Sequence, residues 1–82
     1  MPKQLDKAVV TALARAPVTL RELSRRAGVP HITLSHIRLG QRSASLNAAR
    51  GLMDALEAIA RDAAEEADRI RRALTQTEEE NA

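Results

Sequence analysis

Cysteine is absent from this chain of 82 residues, and so are phenylalanine, tyrosine and tryptophan. Without cysteine no disulfide can staple the fold, and its absence fits a reducing cytosol. Without aromatics there are no stacking platforms of the kind that usually hold single-stranded nucleic acid. If the chain meets nucleic acid, duplex is the expected form. No apolar run is long enough to cross a bilayer, and residues 1–10 lack a signal-peptide pattern. A soluble, cytoplasmic protein without a membrane partner is therefore expected. The length predicts one domain. A domain this small buries only a modest share of its surface, so oligomerisation is an expected supplement.

The net charge of +2 hides an asymmetry. Residues 1–50 hold Lys3, Lys7, Arg15, Arg21, Arg25, Arg26, Arg38, Arg42 and Arg50 against only Asp6 and Glu22, a balance of +7. Residues 51–82 hold Arg61, Arg69, Arg71 and Arg72 against nine acids, a balance of −5. An ordinary solvated surface is the plain explanation. The size of the split favours a polyanion partner for the basic half and a different task for the acidic one.

Glycine and proline, three each, punctuate the chain. Leu5, Val9 and Leu13, with Ala8, Ala12 and Ala16 beside them, recur at helical spacing from about Lys3 to Arg15. Pro17 ends that helix by pushing its predecessor out of the helical region. Thr19-Leu20-Arg21-Glu22 reads as a capping box opening a second helix to Ala27, with Leu20, Leu23 and Ala27 inward and Gly28 as its closing residue. Pro30 suits the first turn of a third helix running to about Leu39, and Gly40 ends it. Ser43 or Ser45 caps the fourth.

From Leu46 the chain is rich in Ala, Leu, Glu and Arg, good helix formers, with supporting pairs Glu57/Arg61, Glu65/Arg69 and Asp68/Arg72. One helix of about 45 Å is expected over residues 46–75, with a frayed tail from about Thr75. Met53, Leu56, Ala60, Ala63, Ala67, Ile70 and Leu74 keep the 3-4 spacing of a coiled-coil seam, and the central alanines allow close approach. Glu66 and Arg71 suit a parallel interhelical pair. The alternative is a broken helix folding back on its own domain. The domain reading is thus residues 1–45 for the basic region and 46–82 for the long helix, which completes the core and forms a dimer seam.

The third helix divides into two sides. Leu34 and Ile37 share one, and Val29 just before the helix can join them. Ile32, Ser35, His36 and Leu39 follow i, i+3, i+4, i+7 on another. A hydroxyl, an imidazole and a branched alkyl group on one exposed side suit base-pair edges: His and Ser can hydrogen-bond, and Ile can touch a thymine methyl group.

The stretch LRELSRRAGVPHITLSHIRLGQR resembles the helix-turn-helix of phage-repressor and Cro-like regulators, the xenobiotic-response-element class. Ser24 stands at the small position of the first helix, Gly28 at the turn, Leu34 at the branched apolar position, Ser35 before the final apolar Ile37, and Gly40 at the close. The likeness covers about residues 3 to 60. It implies an all-α bundle of four or five helices whose third helix enters the major groove. It further implies His31, Ile32, Ser35 and His36 as base-reading residues. Thr33, Arg25, Arg26, Arg38 and Arg42 would contact phosphates. Pro30 replaces the usual small capping residue and His31 the usual glutamine. Arg38 and Leu13 replace a common acid–base pair.

Catalysis and metal binding are not expected. His31 and His36 lie about 140° apart around a helix and do not chelate. A Ser-His-Asp set would need Ser35 or Ser45, a histidine and Asp54 in a pocket that a small alanine-rich bundle hardly offers. No cofactor is implied. The expected function is a homodimeric repressor of a small phage or bacterial operon, nucleoid-associated, reading an inverted repeat. The rival is an antitoxin-like or other docking module whose long helix binds a partner protein.

Overall fold

A computed structural model of the chain describes residues 3 to 81; Met1, Pro2 and Ala82, included in the two-part division above, lie outside the described residues. It is an all-α bundle of four helices: α1 (Lys3–Arg15), α2 (Leu20–Ala27), α3 (His31–Arg38) and α4 (Leu46–Glu80).

Local chemistry sets most boundaries. The Thr19 hydroxyl accepts from the Glu22 N–H at 3.2 Å and starts α2. The expected return contact is missing, because the Glu22 carboxylate turns to Arg25 and Arg26 instead. Gly28 ends α2 at φ +70°, a left-handed conformation that costs other residues about 1–2 kcal/mol. Its N–H donates to the Ser24 carbonyl. Pro30 precedes α3 as its N-cap rather than occupying the first turn. Ser45, not Ser43, caps α4, accepting from the Ala48 N–H at 3.0 Å. Ser43 instead donates to Asp6 on α1 at 3.1 Å.

The core gathers Val9 and Leu13 from α1, Leu23 from α2, Leu34 and Ile37 from α3, and Leu52, Ala55 and Ile59 from α4. Val29 and Ala44 from the connections complete it. Each fully buried Leu or Ile contributes about 1.5–3 kcal/mol. α1 packs on α3, α2 packs on both α3 and α4, and α1 hardly meets α4. Gly51 explains how α4 crosses α2 so closely. A Cβ there would lie 2.6 Å from the Ala27 carbonyl oxygen, so any larger residue pushes the helices apart.

The frayed tail is corrected: α4 stays helical to Glu80, with Asn81 as its cap. Extending an existing helix needs no new nucleation, and Gln76 and Glu78 to Glu80 are good helix formers. Nor does α4 break and fold back. Its 35 residues span about 52 Å and dominate a molecule 58 × 22 × 19 Å. Asp68 pairs with Arg72 as expected, but Arg69 closes on Glu66 rather than Glu65, and Glu57 and Arg61 form no ion pair among the described residues. Such exposed pairs contribute only tenths of a kcal/mol.

Candidate functional site

The eight residues of α3 make two surfaces of opposite character. Leu34 and Ile37 are fully buried, and Val29 joins them. On the other side Ile32 is 65% exposed and Leu39 61% exposed. His31 and His36 are exposed beside them, with Thr33 and Ser35 half-buried at the edges. A helix this short cannot hold itself in place; the inward pair anchors it and so fixes the outward set.

The turn before α3 is locked by a contact that sequence spacing alone does not reveal. The Ser24 hydroxyl donates to the Val29 carbonyl and ties α2 to the entry of α3. α3 also differs at its N-terminus. Thr19 and Ser45 cap α2 and α4, whereas Pro30 offers α3 no side-chain cap. The first-turn N–H groups of α3 keep their donor capacity, at the positive end of the helix dipole.

The candidate arginines fall into two groups. Arg25 and Arg26 both bind Glu22, Arg26 through Nε at 2.9 Å, and Arg26 also reaches Asp62 on α4 at 3.2 Å. Those hydrogen bonds hold the Glu22 carboxyl at about 2, well below the usual carboxylate range. A phosphate would have to compete with Glu22 for these two side chains. Arg38 and Arg42, both exposed, have no ion-pair partner among the described residues. The loop bearing Arg42 is tethered to α1 by the Ser43–Asp6 bond. The other Asp6 oxygen is buried without a hydrogen-bond partner, beside a small cavity of about 200 Å³ that Arg42 also lines.

The seam residues of α4 lie on a separate face. Met53, Ala60, Ala63, Ala67, Ile70 and Leu74 are exposed, and Leu56 is half-buried. The helix turns Leu52, Ala55 and Ile59 inward instead. An apolar groove of about 580 Å³ opens between α1 and α4, with Leu5, Ala8 and Ala12 on one wall and Met53, Leu56 and Ala60 on the other. The α1 wall escaped the sequence reading, since Leu5 and Ala12 pass equally for core.

Among the described residues there is no cluster of potential metal ligands and no helix long and apolar enough to cross a membrane. No family model, curated protein or solved structure matches the chain.

Proposed function

We propose that this chain is a homodimeric, sequence-specific regulator that binds double-stranded DNA, acting as a repressor of a small phage or bacterial operon. The observation that carries the proposal is the outward side of α3. It offers imidazoles, a hydroxyl and two exposed branched alkyl groups on a helix rigidly anchored by Leu34 and Ile37. Such a mixture matches the donors, acceptors and thymine methyl groups of the major groove. In this reading α2, α3 and the Ser24-locked turn are the helix-turn-helix. His31, Ile32, Ser35 and His36 read bases. Arg42, Arg38, Thr33 and the uncapped start of α3 hold phosphates and set the register. Arg25 and Arg26 are secondary, because Glu22 already engages them.

Two substitutions separate base reading from phosphate contact. His36→Ala should cost about 1–3 kcal/mol at one base position and leave other positions unchanged. Arg42→Ala should weaken binding across all sequences and lower the salt slope by about one. Quantitative binding to a panel of single-base operator variants, at several stated salt concentrations, reads both effects. If neither variant alters binding, these side chains do not touch DNA.

The groove beside α1 and the exposed apolar stripe of α4 favour a second reading. The long helix would dock a partner protein, as in an antitoxin-like module, with α3 as scaffold. Under that reading purified chain without the partner shows no preference among duplexes.

A further inference from the structure

Among the described residues, the large exposed apolar side chains Leu46, Met53, Ile70 and Leu74 lie along one face of α4, while Ile32 and Leu39 lie on α3 and at its end. The seam residues divide between two places. Met53, Leu56 and Ala60 line the groove beside α1. Ala63, Ala67, Ile70 and Leu74 stand on residues 63–80, which follow the Arg26–Asp62 pair, are exposed apart from half-buried Asp68, and make no hydrogen bond or ion pair to another helix among the described residues. We infer that the α1–α4 groove is the socket for this projecting arm of a second copy, so that two chains exchange arms and run antiparallel. The inference rests on the homodimer part of the proposed function and is independent of DNA binding.

The lengths of the two parts of α4 match. The arm, residues 63–80, is about 27 Å long, and the packed part of α4, residues 46–62, about 26 Å. An antiparallel pair therefore lays each arm along the other chain's packed part and leaves neither groove empty. A parallel pair sets the two concave grooves level with each other, and neither receives a helix.

The side chains match as well. An antiparallel seam alternates its two core positions across the pair. Centring it on Glu65 sets Met53 beside the partner's Thr77 and Leu56 beside the partner's Leu74. It also sets Ala60 beside the partner's Ile70 and Ala63 beside the partner's Ala67. The branched side chains of the arm then enter the groove, and the alanines meet where the two helices cross.

The charges of the two parts are complementary too. Arg50 and Glu57 are the charged residues that line the groove. In this register Arg50 meets the partner's Glu78, and Glu57 meets the partner's Arg71. Symmetry makes each contact twice. Glu78, Glu79 and Glu80 crowd the negative end of the α4 dipole, with no basic residue in the last turn, and the facing Arg50 relieves this. Glu66 faces its own copy near the two-fold axis, where its bonded Arg69 neutralises it.

The absence of cysteine makes the test clean. Met53→Cys and Thr77→Cys are prepared as separate proteins, both at exposed positions. Mixed and mildly oxidised without DNA, they are expected to form a covalent dimer, while each alone stays uncrosslinked. Two copies of residue 53 would lie about 36 Å apart along the axis, far beyond the roughly 7 Å between α-carbons that a disulfide allows. Crosslinking of either variant with itself, or of Met53→Cys with Ile70→Cys instead, would overturn the arrangement. So would a wild-type chain that sediments as a monomer at the crosslinking concentration. Glu57→Arg should weaken the dimer about tenfold, and adding Arg71→Glu should restore it. A chain that crosslinks as expected yet ignores every duplex leaves this inference standing and removes the DNA reading.

Discussion

Ala63→Glu is expected to separate the dimer and to cost operator affinity without unfolding the chain. In the arrangement above, Ala63 sits where the two α4 helices approach most closely. A glutamate there puts an unpaired carboxylate against an alanine of the other copy, twice per dimer. Leaving charge uncompensated in a buried seam costs about 3–5 kcal/mol in all, so the dimer dissociation constant should rise roughly 10²- to 10⁴-fold. Operator binding should fall over a similar range of about 10²–10⁴, because two modest interfaces lose their effective concentration for each other. The helix itself should persist, since glutamate is a good helix former and Ala63 is exposed within one chain. Sedimentation velocity with and without operator reads the first two effects, and circular dichroism the third. An unchanged sedimentation profile would remove the seam.

Leu34→Ala should act in the opposite way, on the fold rather than on assembly. Leu34 is fully buried in the core. Truncation leaves a cavity and should cost about 2–5 kcal/mol in chemical denaturation. A small domain has only about 5–15 kcal/mol to lose, so a large part of the population unfolds on modest heating. Ile32→Ala, two residues away on the outward side, is the internal control. Its side chain is 65% exposed, so stability should shift by no more than about 0.5 kcal/mol while DNA binding weakens. Equal destabilisation by both variants would mean that α3 does not present the sides described here.

Much of this architecture is legible in the sequence, because its signals are local. Thr19, Gly28, Gly40 and Ser45 mark helix ends through chemistry within four residues. The two sides of α3 follow from the helical period, with Leu34 and Ile37 inward and Ile32 and Leu39 outward. What stayed illegible depends on distant partners. Ser43 and Asp6, or Arg26 and Asp62, are some three dozen residues apart, and no spacing rule joins them. In α4 two apolar stripes overlap. Leu52, Ala55 and Ile59 face the core while Met53, Ala60 and Ala63 lie beside them, and in an alanine-rich helix periodicity cannot choose between the two. The tail from about Thr75 is expected to fray, yet helix propensity carries α4 through it to Glu80. The reason for a glycine at position 51, the Ala27 carbonyl, belongs to another helix.

In the proposed function the outward side of α3 reads the major groove. The most direct test of this is methylation interference on a duplex selected from random sequence at a stated salt concentration. Methyl groups at guanine N7 project into the major groove. Methylation within two symmetric half-sites is expected to block binding, and His36→Ala to relieve the block at one position in each. Selection that enriches no duplex, or binding indifferent to methylation throughout the bound site, would contradict it.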